Sequence, residues 1–567
     1  MHAYNDNSKF TEALKKRSAI VGESAVEHEY PHAQRSKKPV IFRATEQWLI
    51  RITELKERML EEIQRVAWVP EWVGSARFKD WVENAKDWTI SRQRYWGTPL
   101  PVWICERCRS VEVLGSKAEL ERHGKVEELH RPYVDRITIP CPCGGTRRRV
   151  PDVLDGWFDS GGAAWASLGY PARKEGLERW YPVDFITEGH DQTRGWFYSQ
   201  LGCGLLAFGE VPYRKVLMHG FTLDEKGEKM SKSLGTVVSP EEVIERYSAE
   251  ALRFYTLWAN KPWDDLRFNW EEVKVVQKTF TILWNVYVFA TTYMAIDAFD
   301  PSKTGDLTAH YKKEDHWILS RLNSLIKEVT EAFESCHPYR ATRALNEFIL
   351  EDLSRWYIIL VRPRTWIEKE SPEKLSAYAV LHQVLTKLSM VMGPMAPHIT
   401  EEIYGNLRGT LESVHLEAWP EYDEKAIDKA LEEQMRAVRR FVEAVTAARE
   451  KKGIKRRWPV AKTTCLPNTD EAGGALKALK ELFMRQKPTI LAREIVATTR
   501  LFCVEELQLR FSNGVERTYE RLVSKGVGYG AVMIVAMVDE DHAILIEEYC
   551  GGTGEYELSL PKGLIEP

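Results

Sequence analysis

Three textures follow one another along the chain. From Trp48 to about Asn269, short apolar runs such as Lys215-Val216-Leu217-Met218 are interrupted by glycine, proline and aromatic residues. That texture predicts an α/β domain with long functional loops. From about Glu271 the period changes. Ile318, Leu322, Leu325, Ile326, Val329 and Phe333 fall at helical spacing, and Leu345, Phe348, Ile349 and Trp356 continue on another helix. Residues 376–404 and 425–450 repeat the pattern, with Pro394 and Pro397 as breaks, so a helical bundle is predicted over 271–405. Near residue 501 strict alternation begins. Val504–Arg510 and Val515–Arg521 flank Ser512-Asn513-Gly514, which reads as a hairpin, and Ala531–Val538 and Ala543–Glu548 continue as strands. Residues 1–48 are polar and mixed and do not read as a self-sufficient domain.

Composition narrows this only modestly. At 567 residues the chain holds several domains, because single cores rarely exceed about 250–300 residues. A net charge of -4 gives no global positive field, so any nucleic-acid contact must rest on local patches. No apolar run reaches the roughly 20 residues that span a bilayer, and the opening residues lack a signal-peptide pattern, so no membrane partner is expected. Nine cysteines, four of them clustered, suit a reducing cytoplasm better than a disulfide framework.

The clustered four are Cys105-x-x-Cys108 and Cys141-x-Cys143, about 30 residues apart. Paired thiolates at this spacing predict a tetrahedral Zn2+ site, with Pro142, Gly144 and Gly145 supplying a tight turn. Four protein ligands leave no open position, so the metal would brace the domain and take no part in catalysis. Four free thiols are the alternative.

The sharpest chemical signal is Lys229-Met230-Ser231-Lys232-Ser233, in a loop after the turn Asp224-Glu225-Lys226-Gly227. Two lysines in a mobile loop suit a triphosphate, whose oxygens gain charge in the transition state. Gly235 follows, and Ser239-Pro240-Glu241-Glu242 predicts a helix start, with serine as the cap, proline at the first helical position and acids in the first turn.

This pentapeptide resembles the second signature of the class I aminoacyl-tRNA synthetases. The His-x-Gly-His first signature of that family occurs nowhere in the chain. Three further stretches are similar to the isoleucyl branch: Trp88–Pro99, Asp155-Gly156-Trp157-Phe158-Asp159-Ser160 and Glu188-Gly189-His190-Asp191-Gln192-Thr193-Arg194-Gly195-Trp196-Phe197. A valyl enzyme more usually has Leu-Trp-Trp-Gly-His where this chain has Arg94-Tyr95-Trp96-Gly97-Thr98. The resemblance covers about residues 1–500. It implies an ATP- and Mg2+-dependent activation of L-isoleucine and transfer to tRNA-Ile by a cytoplasmic monomer. Two alternatives stay open: valine as the amino acid, or a chain that binds tRNA without activating an amino acid.

By that resemblance Glu188, Gly189, Asp191 and Gln192 hold the aminoacyl-adenylate and Trp157 and Trp196 flank its aliphatic side chain. His219, Lys229, Ser231 and Lys232 contact ATP, and Lys229 and Lys232 are the catalytic pair. Chemistry agrees at two points: a carboxylate suits the substrate ammonium, and glycine lets the backbone approach a ligand. The implied fold is α/β: an incomplete Rossmann-like nucleotide-binding catalytic domain, then a helical anticodon-binding bundle, then a small β-rich segment. The domains expected are 1–48 as a remnant of an editing insert, 49–270 as the C-terminal half of the catalytic domain with its zinc knuckle, 271–415 as the bundle, 416–500 as an α/β extension and 501–567 as a separate tail. A second zinc pair implied at Ala33 and Ser36 is not cysteine here.

Two cationic patches are candidates for RNA: Arg355, Arg362 and Arg364 beside Trp356 and Trp366, and Arg449, Lys451, Lys452, Lys455, Arg456 and Arg457 around Gly453. The tail resembles the opening strands of a Nudix hydrolase in Phe511–Gly514, Gly530–Val535 and Tyr556–Gly563, and stops where that family's magnesium-binding helix would begin. No hydrolysis is expected from it.

Overall fold

The computed structural model describes residues 7–24, 27, 29–33, 36–41, 44–231, 235–366, 371–453, 469–480 and 489–498. Beyond these it describes the strands between 502 and 564; residues 511–515, where the sequence predicts the hairpin turn, lie outside the described residues. The chain divides into two compact units, one made of Met1–Asn285, Leu325–Ile349 and Ser389–Pro420, the other of Val286–Ser324, Leu350–Leu388 and Glu421–Pro567.

In the first unit a three-stranded parallel sheet has Lys215–His219 at its centre, with Ile186–Gly189 on one side and Ala67–Val69 on the other. Val216 and Met218 are buried, and Val216 joins a core with Ile63, Phe78, Phe197, Leu201 and Tyr213. Helix Trp196–Phe208 supplies Phe197, Leu201 and Leu205 at four-residue spacing, which is why it lies on the sheet. It ends at Gly209, whose φ of +77° is a left-handed cap natural to glycine. Buried Glu62 locks the adjoining helix Lys56–Ile63, accepting from the Val211 N–H at 3.0 Å and pairing with Arg58 and Arg65 at 3.1 and 2.9 Å.

A separate four-stranded antiparallel sheet, ordered Val111–Val113, Val102–Cys105, Thr146–Arg149, Ile139–Pro140, carries the cysteines. Trp103 fills its core and donates through Nε1 to the Ile137 carbonyl at 3.0 Å. The start predicted at Ser239 is observed: helix Pro240–Arg246 has the Ser239 hydroxyl accepting from the Glu242 N–H at 3.1 Å.

Helix Trp270–Ile296 is the one described helix long and apolar enough, by length and composition, to cross a bilayer. The sequence pattern gave no such span. Its apolar positions at Val273, Val276, Phe280 and Leu283 are buried, and the Phe280 ring meets Phe254 edge-on at 5.5 Å. That is the seam of a packed helix. Helix Lys313–Glu334 buries Ile318, Leu322, Leu325, Ile326 and Val329, as its spacing predicts, but Ala332 takes the last inward position and Phe333 is half-buried. The helix predicted through Leu345–Trp356 widens to π geometry over Phe348–Tyr357.

The second unit is organised around buried charge. Asp315 accepts from both terminal nitrogens of Arg364, at 2.7 and 2.8 Å, and from the Tyr357 hydroxyl at 2.6 Å. Glu314 stands 3.2 Å from the same guanidinium, and burial pushes its carboxyl above the usual range despite that neighbour. Arg364 is therefore no phosphate ligand, contrary to the sequence expectation: a guanidinium already enclosed by two carboxylates has neither exposure nor spare charge to offer. Nearby, Glu432 accepts from Ser320 and Ser324 at 2.7 Å each and pairs with Arg321 at 3.4 Å. Strands Phe502–Arg510 and Glu516–Ser524 pair antiparallel, with Arg510 opposite Glu516, and Thr489–Thr498 adds a third strand on the far side of the first.

Removing one partner of a buried pair leaves the other uncompensated. Asp315→Ala should cost about 3–5 kcal/mol, read as a lowered urea midpoint of the helical circular-dichroism transition. Arg51→Ala, which breaks only an exposed pair with Glu54, should leave that midpoint nearly unchanged.

Candidate functional site

Two parallel strands end side by side, with Gly189 in register with His219. Ligands in open α/β sheets collect beyond such carboxyl ends. At Gly189 a Cβ would stand 2.8 Å from Asp191 Oδ1, so that carboxylate would have to shift, and 3.6 Å, ordinary contact, from His219 and Phe221 ring atoms. The crowding measures how closely Asp191, His219 and Phe221 gather around that backbone. Glu188, one residue earlier, is exposed.

The chain then turns through a short 3-10 helix, His190–Arg194, which fixes Gln192 by both ends of its amide. Nε2 donates to Asp191 Oδ2 at 2.8 Å, and Oε1 accepts from the Trp196 N–H at 2.9 Å. A Cβ on Gly195 would collide with that Oε1 and reach the Trp157 ring at 3.2 Å. Gln192 and Trp157 thus form neighbouring walls with only a glycine between them.

Trp157 is 45% exposed and lies on helix Gly156–Gly161. Buried Asp155 anchors the start of that helix. One oxygen caps the Trp157 N–H at 3.4 Å, while the other accepts from Trp88 Nε1 at 3.1 Å and pairs with Arg92 at 2.9 Å. Sequence reasoning quoted Asp155 without giving it this role; an aspartate directly before a helical Gly-Trp was the available cap signal. Trp196 differs from Trp157. Its ring packs on the core and its indole N–H is spent on the Ser160 carbonyl at 3.1 Å, so it ties the two helices together.

The lysine loop is built on a turn. Asp224 Oδ1 accepts from the N–H groups of Lys226 and Glu228 at 3.0 and 2.8 Å, and Gly227 takes a φ of +82°. Lys229 bridges back to Leu223, and its ammonium sits 5.1 Å from the Phe221 ring centroid. Phe221 was not singled out from the sequence. Ser231 is held through its N–H by the Thr236 hydroxyl at 3.0 Å. Lys232 lies outside the described residues. His219 is exposed, with Nδ1 2.8 Å from the Gly220 carbonyl oxygen. It lines a cavity of about 790 Å³ together with Thr187, Leu217, Phe221, Leu257 and Phe333. Trp157, Asp191, Gln192 and Trp196 are not among the residues lining that cavity.

The four cysteine sulfurs lie within 4.8 Å of one another, with Cys105–Cys143 at 3.5 Å and Cys108–Cys141 at 3.6 Å. Tetrahedral zinc with bonds of about 2.3 Å spaces its sulfurs at roughly 3.8 Å. Hydrogen bonding to Ser110, then to the neighbouring thiols, draws the Cys108 thiol down to about 6. The Gly145 N–H favours the Cys143 thiolate, but neighbouring thiols and burial together lift that group to about 12. A Cβ on Gly145 would stand 3.0 Å from Cys105 Sγ and 3.3 Å from Cys143 Sγ, so glycine is what lets the turn pass.

Of the RNA candidates in the second unit, Arg355 pairs with Glu351 at 2.5 Å, and Arg362 stacks 5.3 Å over the exposed Trp366. Arg449, Lys451 and Lys452 close helix Lys429–Lys451, while Lys455, Arg456 and Arg457 fall outside the described residues.

Three family models match stretches of the chain. The model of tRNA synthetases class I (I, L, M and V) matches residues 7–269, and that of the anticodon-binding domain of tRNA ligase matches 315–464. The NudE-type Nudix hydrolase N-terminal domain matches 488–521. The isoleucine–tRNA ligase of Methanothermobacter thermautotrophicus is 54% identical over 484 residues, covering 83% of this chain and 46% of that protein. That of Methanothrix thermoacetophila is 55% identical over 463 residues, covering 80% and 44%. That of Methanosarcina mazei is 46% identical over 565 residues, covering 97% and 52%, so the similarity also takes in the tail. The chain spans about half the length of the curated relatives it matches. With the paired strand ends, the lysine loop and the helical region matched in the same order along the sequence, the chain belongs to the class I tRNA synthetases.

Proposed function

We propose that this chain carries the activation chemistry of an isoleucine–tRNA ligase. The observation that carries the reading is the gathering of Asp191, His219 and Phe221 around Gly189, with Lys229 over the Phe221 ring. Asp191 takes the substrate ammonium, and the immobilised Gln192 amide fixes the distance between that carboxylate and the helix behind it. The exposed face of Trp157 receives the branched aliphatic group, and it leaves no polar atom unpaired when it does so. The isoleucine carboxylate attacks the α-phosphorus of ATP, and pyrophosphate leaves with the bonding pair. Lys229, joined by Lys232 of the same loop, offsets the charge gathering on phosphate oxygens. Magnesium accompanies the triphosphate. In the second half-reaction the terminal ribose hydroxyl of tRNA-Ile attacks the acyl carbon and AMP departs.

Cys105, Cys108, Cys141 and Cys143 hold one zinc ion in this reading. Zinc supplies the positive charge that lets all four sulfurs stay deprotonated, and it braces the small sheet.

Isoleucine-dependent exchange of labelled pyrophosphate into ATP tests the proposal. The purified chain should exchange with isoleucine and far more weakly with valine; the reverse preference would make it a valine enzyme. Lys229→Ala should lower kcat by roughly 100-fold or more, the scale of one lost transition-state donor. Absence of exchange with tRNA binding retained would reject activation and leave the binding reading.

Atomic spectrometry of the purified chain should find one zinc per molecule. Cys141→Ser should abolish that and lower the thermal midpoint. A metal-free wild-type chain of the same stability would exclude the zinc assignment.

A further inference from the structure

We infer that Tyr95 and Trp96, with Arg131 and His130 behind them, form a stacking platform for unpaired nucleotides at the end of the RNA substrate. The inference rests on the reading above for which RNA that is. Both side chains face solvent, Tyr95 at 59% exposed and Trp96 at 68%. Each is backed by a flat partner. The Trp96 and His130 rings stack 4.9 Å apart at an interplanar angle of 7°, and the Arg131 guanidinium carbon sits 4.7 Å from the Tyr95 centroid.

These partners are themselves held. Arg131 bonds Asp135 at 2.8 Å and the Pro151 carbonyl at 3.0 Å, and His130 Nδ1 is 2.8 Å from a Glu128 carboxylate oxygen. Two large aromatic faces are therefore immobilised in water with nothing covering them among the described residues. Burial cannot explain them, because Trp103 in the same small domain shows where a structural indole goes.

Chemistry points to nucleic acid before protein. Bases bind by face-to-face stacking on aromatic and cation-backed rings, and every base has such a face. Arg94, exposed and without a carboxylate partner among the described residues, supplies a phosphate contact beside the platform.

The position of the loop fits an RNA end that must reach the activated amino acid. Its two ends are fastened to one strand: Arg92 pairs with Val153, and the Thr98 carbonyl accepts from the Leu154 N–H at 2.7 Å. Gly97 lies so near Val153 that a Cβ there would be 3.0 Å from Cγ2. That strand runs directly into Asp155 and the helix bearing Trp157. Platform and acyl pocket share one piece of backbone.

Fluorescence anisotropy with a labelled, unpaired oligoribonucleotide ending in CCA tests this on the full chain. Trp96→Ala and Tyr95→Ala should each weaken binding about tenfold, the scale of one lost stacked base. Tyr95→Phe should keep near-normal affinity, and a blunt duplex of the same sequence should bind poorly. Trp180→Ala, at another exposed tryptophan capped by an arginine, should change nothing. Unchanged binding by both alanine variants, equal binding of the duplex, or self-association of the chain that depends on Trp96 would overturn the proposal. Should Trp96→Ala fail to fold, photo-crosslinking of a 4-thiouridine oligonucleotide to the wild-type chain decides instead, with crosslinks at residues 94–97 expected and crosslinks elsewhere fatal. Exchange measured on the same variants should be unaffected. An inactive wild-type chain that still loses oligonucleotide binding on Trp96→Ala would refute the ligase reading and leave the platform standing.

Discussion

Backbone pairing between Ile186–Gly189 and Lys215–His219 is the constraint from which the site follows. Parallel register sets Gly189 and His219 at the same height, so the two loops that leave the sheet begin as neighbours. The absence of a side chain at Gly189 then leaves room for the Asp191 carboxylate, with an imidazole and a benzene ring in contact range of the same point. Helix Trp196–Phe208 must lie on the sheet because its apolar seam is buried there, and this brings Trp196 back to clamp Gln192. The placement of each candidate group is thus inherited from main-chain geometry and from a core that the group itself does not enter.

Much of this was legible in the residues. The lysine loop and the helix after it carry local signals: a turn with glycine, a serine cap, a proline at the first helical position. The cysteines announce themselves by spacing. Less legible was the division of labour between the two tryptophans. Both sit in similar motifs, but Trp196 opens a helix whose next residue is fully buried, while Trp157 opens one anchored from outside by Asp155. The difference depends on partners such as Trp88 and Ser160, 36 or more residues away in sequence, that no local pattern names. Arg364 was misread for the same reason, since its carboxylate lies 49 residues earlier.

The small cysteine-bearing sheet has two kinds of order. Trp103 and its neighbours give it a core of modest size, and four sulfurs give it a second point of closure. Domains this small bury too little surface to be rigid by apolar packing alone. The four clustered sulfurs and the Arg149–Asp135 pair at 2.5 Å add closure that apolar packing alone does not supply.

The enclosure of Arg364 by Asp315, Glu314 and Tyr357 bears on how an RNA contact of the helical unit would be mapped. A survey that neutralises each arginine in turn would record a loss at position 364 whether or not this unit touches RNA. Its signal would have a different origin: collapse of the scaffold and not the removal of a ligand. Salt would tell them apart, because a lost phosphate contact flattens the ionic-strength dependence of binding and an unfolded scaffold does not.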